Sequence, residues 1–176
     1  MQWKHPFSPV AKKFKVVPSV GKLMATVFWD CYGILLLHFQ EREEHVTATS
    51  YCTVLQELRQ EIRKKRPGLL RQGVLLLHDN ARPHTAFTIQ EKIQQINCEV
   101  LPHLPYSLDL APSDFHLFGP MKHDLGGKRF ADDGEVQDNV RQWLLQQSTE
   151  FYAQGIHKLV ERWDKCINVA GDYIEK

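Results

Sequence analysis

Three observations predict an α/β domain. Strand-length apolar runs, Leu23–Trp29, Ile34–Phe39, Val74–Leu77 and Cys98–Leu101, are spread along the first hundred residues. Between and after them, apolar residues recur at helical spacing. The first two runs are joined by a tight turn, so an initial hairpin gives way to alternating strands and helices.

Residues 1–20 carry Pro6, Pro9 and Pro18 with little periodicity and read as an extended arm; residues 21–176 form the folded domain. Asp30-Cys31-Tyr32-Gly33 is the hairpin turn, with Gly33 able to take positive φ. Thr49 or Ser50 caps a helix whose inner face is Tyr51, Val54, Leu55, Leu58 and Ile62. That helix ends in Arg63-Lys64-Lys65-Arg66, charges that suit a helix C-terminus, and stops at Pro67-Gly68. Val74–Leu77 is apolar on both faces, as a central strand is. A second helix runs from about Pro83 with Ala86, Ile89, Ile93 and Ile96 inside, and Cys98–Leu101 is the next strand. Pro102 to Pro112 is loop-like. Ser113 is placed to cap a helix that Gly126-Gly127 ends. Val136, Val140, Trp143 and Leu144, then Phe151, Ile156, Leu159, Val160, Trp163 and Ile167, make the C-terminal third helical.

Composition excludes several classes. Of 176 residues, 43% are apolar and 24% charged, a globular balance and not a disordered one. Lys+Arg 22 against Asp+Glu 21 leaves +1, which excludes a bulk polycation. The charge is segregated, however: Lys4, Lys12, Lys13, Lys15 and Lys22 all precede the first acid, Asp30. Cys31, Cys52, Cys98 and Cys166 lie too far apart for a C-x-x-C zinc pair. With no signal peptide in view, they are expected to be reduced core thiols of an intracellular protein. The longest apolar run, Ile34–Leu37, is far short of the ~20 residues of a membrane span, so no membrane partner is expected.

The segment that can carry chemistry is His78-Asp79-Asn80-Ala81-Arg82-Pro83-His84. Asp79 falls where a buried strand ends and a helix is about to begin, the place where ligands collect in α/β sheets. Asp114 lies in the first turn of a later helix, with 34 residues between the two. Carboxylates from different elements suit a hard cation such as Mg²⁺, and two such ions can activate a water and stabilise the leaving oxygen of a phosphodiester. Blander readings stand beside this one. An Asp before a helix is more commonly a cap than a ligand, and Asp109 and Asp114 could both be loop and cap residues. His78 and His84 form a zinc pair only if other ligands join them. Arg63–Arg66 is a solvated helix end unless it borders a polyphosphate groove.

The motifs are more specific than any of these alone. His78-Asp79-Asn80-Ala81-Arg82-Pro83-His84-Thr85-Ala86, Val100-Leu101-Pro102-His103 and Tyr106-Ser107-Leu108-Asp109-Leu110-Ala111-Pro112-Ser113-Asp114-Phe115-His116-Leu117-Phe118 resemble a mariner-type transposase. So do Val27-Phe28-Trp29-Asp30 with Gly33, the stretch Phe151 to Cys166, and Gly171-Asp172-Tyr173. The resemblance covers essentially the whole chain.

It implies an RNase H-like, retroviral-integrase-type mixed sheet flanked by helices. It also implies DNA strand cleavage and strand transfer by a triad of acids holding Mg²⁺ or Mn²⁺ in a two-metal site, with no small-molecule cofactor. The last two acids map onto Asp79 and Asp114; Asp109 is read as loop structure. The family's Ser-Pro-Asp-Leu is Ser107-Leu108-Asp109-Leu110 here, which is expected to loosen the loop before Asp114. The partners implied are transposon-end DNA and a second copy of the chain, in the nucleus. Lys12, Lys13, Lys15, Arg63, Lys64, Lys65 and Arg66 are the candidate DNA-binding cations.

Two parts of the family pattern have no counterpart. The first acid belongs to a first, central strand that would precede Trp3, and the helix-turn-helix modules lie further upstream. Activity is therefore expected to be impaired, and a non-catalytic DNA-binding remnant is the alternative. Asp30 is the candidate substitute for the first acid, against a plain turn residue. The hairpin of residues 22–40 is expected either to pair directly with Val74–Leu77 or to leave a gap in the sheet.

Overall fold

The computed structural model describes residues 23–41, 46–81, 84–104 and 107–168. The order is β1 (Ala25–Asp30), β2 (Gly33–Phe39), α1 (Ala48–Lys65), a single turn α2 (Leu69–Gln72), β3 (Val74–Leu76), α3 (Phe87–Gln95) and β4 (Cys98–Val100). A 3₁₀ turn (Leu108–Leu110) then leads into a π-helical segment (Ser113–Phe118) continuous with α4 (Gly119–Leu125), and α5 (Asp133–Gln146) and α6 (Thr149–Asn168) follow. The α/β reading holds. The arm of residues 1–20 lies outside the described residues.

Among the described residues the strands form two separate pairs, β1–β2 antiparallel and β3–β4 parallel. The hairpin therefore does not pair with Val74–Leu76; the gap is the outcome. Between the two pairs lies an apolar groove of about 410 Å³, walled by Phe28 of β1, Leu75 of β3, Ile62 of α1 and Leu159 and Trp163 of α6.

The hairpin turn is tighter than predicted. Asp30 and Gly33 pair with each other at the strand ends, so only Cys31 and Tyr32 turn. Gly33 sits at φ +132, where a side chain is strained. Phe28 faces Leu36 and Trp29 faces Ile34, so Leu35 is the extra residue of a bulge. The bulge lets Leu35 and Leu36 both pack toward α1, while Ile34 and Leu37 pack toward α5 and α6.

Two cores follow from this two-sided hairpin. One gathers Leu35, Tyr51, Leu55, Leu58, Ile62, Leu76, Ile89, Ile93, Ile96 and Cys98. The other gathers Leu117, Val140, Leu144 and Tyr152, with Trp29 and Ile34 packed on it. The helical periodicity read in the sequence selects the inner faces of α1, α3 and α5, but not that of α6, where Val160 and Ile167 are exposed and Tyr152, Gly155 and Cys166 are buried instead.

Helix starts differ from expectation, each for a local reason. The α1 cap is Thr47, not Thr49 or Ser50. Thr47 N–H donates to Ser50 Oγ at 2.9 Å and Ser50 N–H donates to Thr47 Oγ1 at 3.1 Å, a reciprocal pair that satisfies two orphan donors. α3 starts at Phe87, with His84 and Thr85 in a turn before it. Ser113 is not a cap: Pro112 opens the helix with helical φ −55, and the Ser113 hydroxyl accepts the Trp29 indole N–H at 3.1 Å. Cys98 and Cys166 are buried as expected, but Cys31 and Cys52 are only half-buried.

Candidate metal-binding site

Asp79 follows β3 by three residues and Asp114 lies in the first turn of the π-helical segment, so the two carboxylates come from elements distant in sequence. Burial is the main cause that pushes the Asp114 carboxyl above the usual range; the like charge of Asp79 pushes the same way, while Lys122 and His103 oppose it. The charge of Asp79 therefore acts on Asp114, as a like charge within range does. Both side chains reach solvent.

Local structure fixes each acid. Asp79 Oδ1 accepts the Ala81 N–H at 3.2 Å and the His84 Nδ1–H at 2.5 Å. Asn80 ties the same loop to the next, donating from Nδ2 to His103 O at 2.6 Å. Asp114 is placed by Trp29, whose indole holds neighbouring Ser113. It is also placed by His116, whose Nε2 donates to Phe151 O at 2.7 Å. α6 can approach this closely because residue 155 is glycine: a Cβ there would lie 2.5 Å from His116 and 2.8 Å from Trp29.

The surroundings of Asp79 escaped the sequence reading. Tyr51, 2% exposed on α1, lies 4.1 Å from the His84 ring centroid, and its hydroxyl meets His78 Nδ1 at 3.1 Å. His78 and His84 stack at 5.1 Å, with only 11° between their planes. Burial, with His84 adding to it, drives His78 down to about 4, so it is neutral and its Nδ1 can accept the Tyr51 proton. Burial, and then the charge of Asp79, push the Tyr51 phenol above its ordinary range. Tyr51 had been legible only as an inward-facing helical residue.

The other predicted residues are placed as follows. Asp30 accepts Arg66 Nε at 2.7 Å and Arg66 Nη2 at 2.8 Å, and also the Tyr32 N–H at 2.9 Å. It joins the hairpin turn to the end of α1 rather than meeting Asp79 and Asp114. Arg66 is spent on that pair. Lys65 Nζ donates to Leu35 O at 2.7 Å, and Lys64 pairs with Glu61 at 2.8 Å. Arg63 is exposed. Lys12, Lys13 and Lys15 lie outside the described residues. Asp109 sits buried in the 3₁₀ turn, its carbonyl accepting Arg162 Nη1 at 3.0 Å, so the loop before Asp114 is anchored to α6 despite losing the proline.

Oxygen donors that repel one another fit a divalent cation, which would relieve the repulsion. Among the described residues no three His, Cys, Asp or Glu side chains converge as a ligand group.

Known proteins share both the sequence and the fold. A family model described as a transposase, partial DDE domain, matches residues 1–72. The Mariner Mos1 transposase of Drosophila mauritiana is 41% identical over 188 aligned positions, covering 99% of this chain and 54% of that protein. The human histone-lysine N-methyltransferase SETMAR is 37% identical over 155 positions, covering 88% of this chain and 23% of that protein. The chain therefore spans about half of one curated relative and about a quarter of the other. The crystal structure of the Mos1 catalytic domain superimposes with a TM-score of 0.84 at 41% identity, covering 88% of this chain and 77% of that one. Mos1 structures also exist with Mn, with Mg, and as a paired-end complex with the left transposon end. Identity of this order over about three quarters of that catalytic domain, on a common RNase H-like fold, means that the chain belongs to the mariner-type transposases.

Proposed function

We propose that this chain is the catalytic portion of a DNA transposase, with Asp79 and Asp114 as ligands for Mg²⁺ or Mn²⁺. The observation that carries the reading is the placement of Asp79 just past β3 and Asp114 at the start of the π-helical segment, both exposed, with the Asp114 carboxyl raised first by burial and then by the charge of Asp79. Mos1 transposase, solved with Mn, with Mg and with a transposon end, supports divalent cations and transposon-end DNA as its ligands. The paired-end complex supports a second copy of the chain as partner, and a DNA substrate supports a nuclear location.

Bound in pairs, such ions supply a nucleophile from water or a terminal hydroxyl and neutralise charge on the leaving oxygen. The chain's own part is to hold the carboxylates in place. Trp29, Ser113 and His116 fix the helix that carries Asp114, while Ala81 and His84 fix Asp79. Lys122 adds positive charge beside Asp114. With no third acid joining Asp79 and Asp114 among the described residues, cation affinity is expected to be weak and cleavage impaired. Arg63 and the arm lysines Lys12, Lys13 and Lys15 are left as the cations for DNA phosphates, since Arg66 and Lys65 are engaged within the fold.

Nicking of supercoiled plasmid by the purified chain tests this directly. The expected result is slow nicking that requires Mg²⁺ or Mn²⁺ and is lost in Asp79→Ala and in Asp114→Ala. A second reading, a DNA-binding remnant without catalysis, draws on the same lack of a third acid among the described residues. It is favoured if the chain binds duplex DNA with steep salt dependence yet never nicks it.

A further inference from the structure

Asp79 is gripped from the core outward. Two donors, the Ala81 N–H and the His84 Nδ1–H, meet on the same oxygen, Oδ1. That fixes the rotamer of the carboxylate, and the direction of its second oxygen follows. His84 is itself confined, its side chain 18% exposed and its ring lodged against Tyr51 and His78. Tyr51 packs in turn on Phe28 of β1, with ring centroids 6.5 Å apart. A ring only 2% exposed in a close-packed core cannot swing without displacing its neighbours. A rigid column thus runs from β1 through α1 to one acid.

The geometry points to Tyr51 and His84 as positioning residues for Asp79. Tyr51 places the His84 imidazole, and His84 turns the carboxylate toward the position a divalent cation would take. The use of that orientation rests on the reading of Asp79 as a cation ligand; the orientation itself does not. Hydrogen bonds behind a ligand carboxylate commonly change metal affinity by about 10–100-fold.

Two measurements on the full chain separate these statements. The first is the nitrogen NMR spectrum of its histidines. Donation to Asp79 requires His84 to be the Nδ1–H tautomer, whereas free neutral imidazole favours Nε2–H; Asp79→Ala should restore the latter. Finding His84 as Nε2–H in the parent overturns the proposal. The second is Mn²⁺ titration followed by water-proton relaxation. His84→Ala is expected to bind at least about tenfold more weakly, and His84→Gln, which retains an N–H donor, to recover most of the loss. Tyr51→Phe keeps the stacked ring and should stay close to the parent. Equal Mn²⁺ affinity in the parent and His84→Ala overturns the proposal even with the tautomer correct. A parent that binds no Mn²⁺ while His84 is Nδ1–H overturns the cation reading and supports the positioning of Asp79.

Discussion

Gly155 shows how a single missing methyl sets the position of a catalytic candidate. In an isolated helix, alanine is favoured over glycine by about 1 kcal/mol. Here the new Cβ would meet His116 at 2.5 Å and Trp29 at 2.8 Å. Neither ring can yield easily, since His116 is bonded to Phe151 O and Trp29 to Ser113. Overpacking therefore wins, and Gly155→Ala should destabilise the fold by about 1–2 kcal/mol in urea unfolding. A nearby residue governs alkaline stability. Burial pushes Tyr152 up to about 12, whereas an unfolded tyrosine ionises near 10. A raised phenol pKa stabilises the fold below pH 10, and the contribution is lost as pH rises from about 10 to 12, because only the unfolded chain ionises there. The expected loss is about 2–3 kcal/mol. Tyr152→Phe should flatten that part of the pH–stability curve, at the expense of the bond from its hydroxyl to Leu144 O.

Among the elements, α1 does more than fill the core. Its N-terminus carries the Thr47–Ser50 capping box, its first turn supplies Tyr51 beneath Asp79, and its C-terminus is tied to the hairpin by Arg66 and Asp30. Thr47→Ala is expected to lower stability by about 1 kcal/mol, read from the denaturant midpoint. The Asp30–Arg66 pair is bidentate and mostly buried, each side chain 22% exposed, so Asp30→Ala strands a guanidinium and should destabilise by about 1–3 kcal/mol. If Asp30 acts only in this pair, that variant leaves Mn²⁺ affinity unchanged; a loss of affinity would return Asp30 to the cation site.

Across the whole molecule, the gap between β1–β2 and β3–β4 is the main structural consequence. Among the described residues, strand edges without partners and apolar walls are exposed together there, with Leu75 at 65% and Val160 at 59%. The folded chain should accordingly enhance the fluorescence of an apolar dye such as ANS. Leu75→Glu should reduce that signal while shifting the unfolding midpoint little, because Leu75 is already exposed. A parent that leaves the dye dark would mean the groove is closed in solution.

What the sequence determined by itself was whatever depends on neighbours along the chain. Helical periodicity selected the buried faces of α1, α3 and α5, the hairpin followed from a turn with glycine, and the family motif put forward Asp79 and Asp114. On α6 the periodicity missed, since Val160 and Ile167 are exposed while Tyr152 and Cys166 are buried. Boundaries were less legible: Thr47 caps α1 because Ser50 can reciprocate, which a preference for hydroxyl residues does not distinguish from Thr49 or Ser50. Tertiary structure decided the rest. Arg63–Arg66 reads as one basic cluster, yet Arg66 belongs to Asp30 and Lys65 to a β2 carbonyl, pairings made across the fold. Ser113 looks like a cap and is an acceptor for Trp29, 84 residues away. Tyr51 and His84 have no adjacency in sequence, and only the packing of α1 beneath the end of β3 brings them to one carboxylate. The physical reason is range: propensity and capping act within a helical turn, whereas ion pairs, ring stacks and ligand geometry depend on which surfaces the fold brings together.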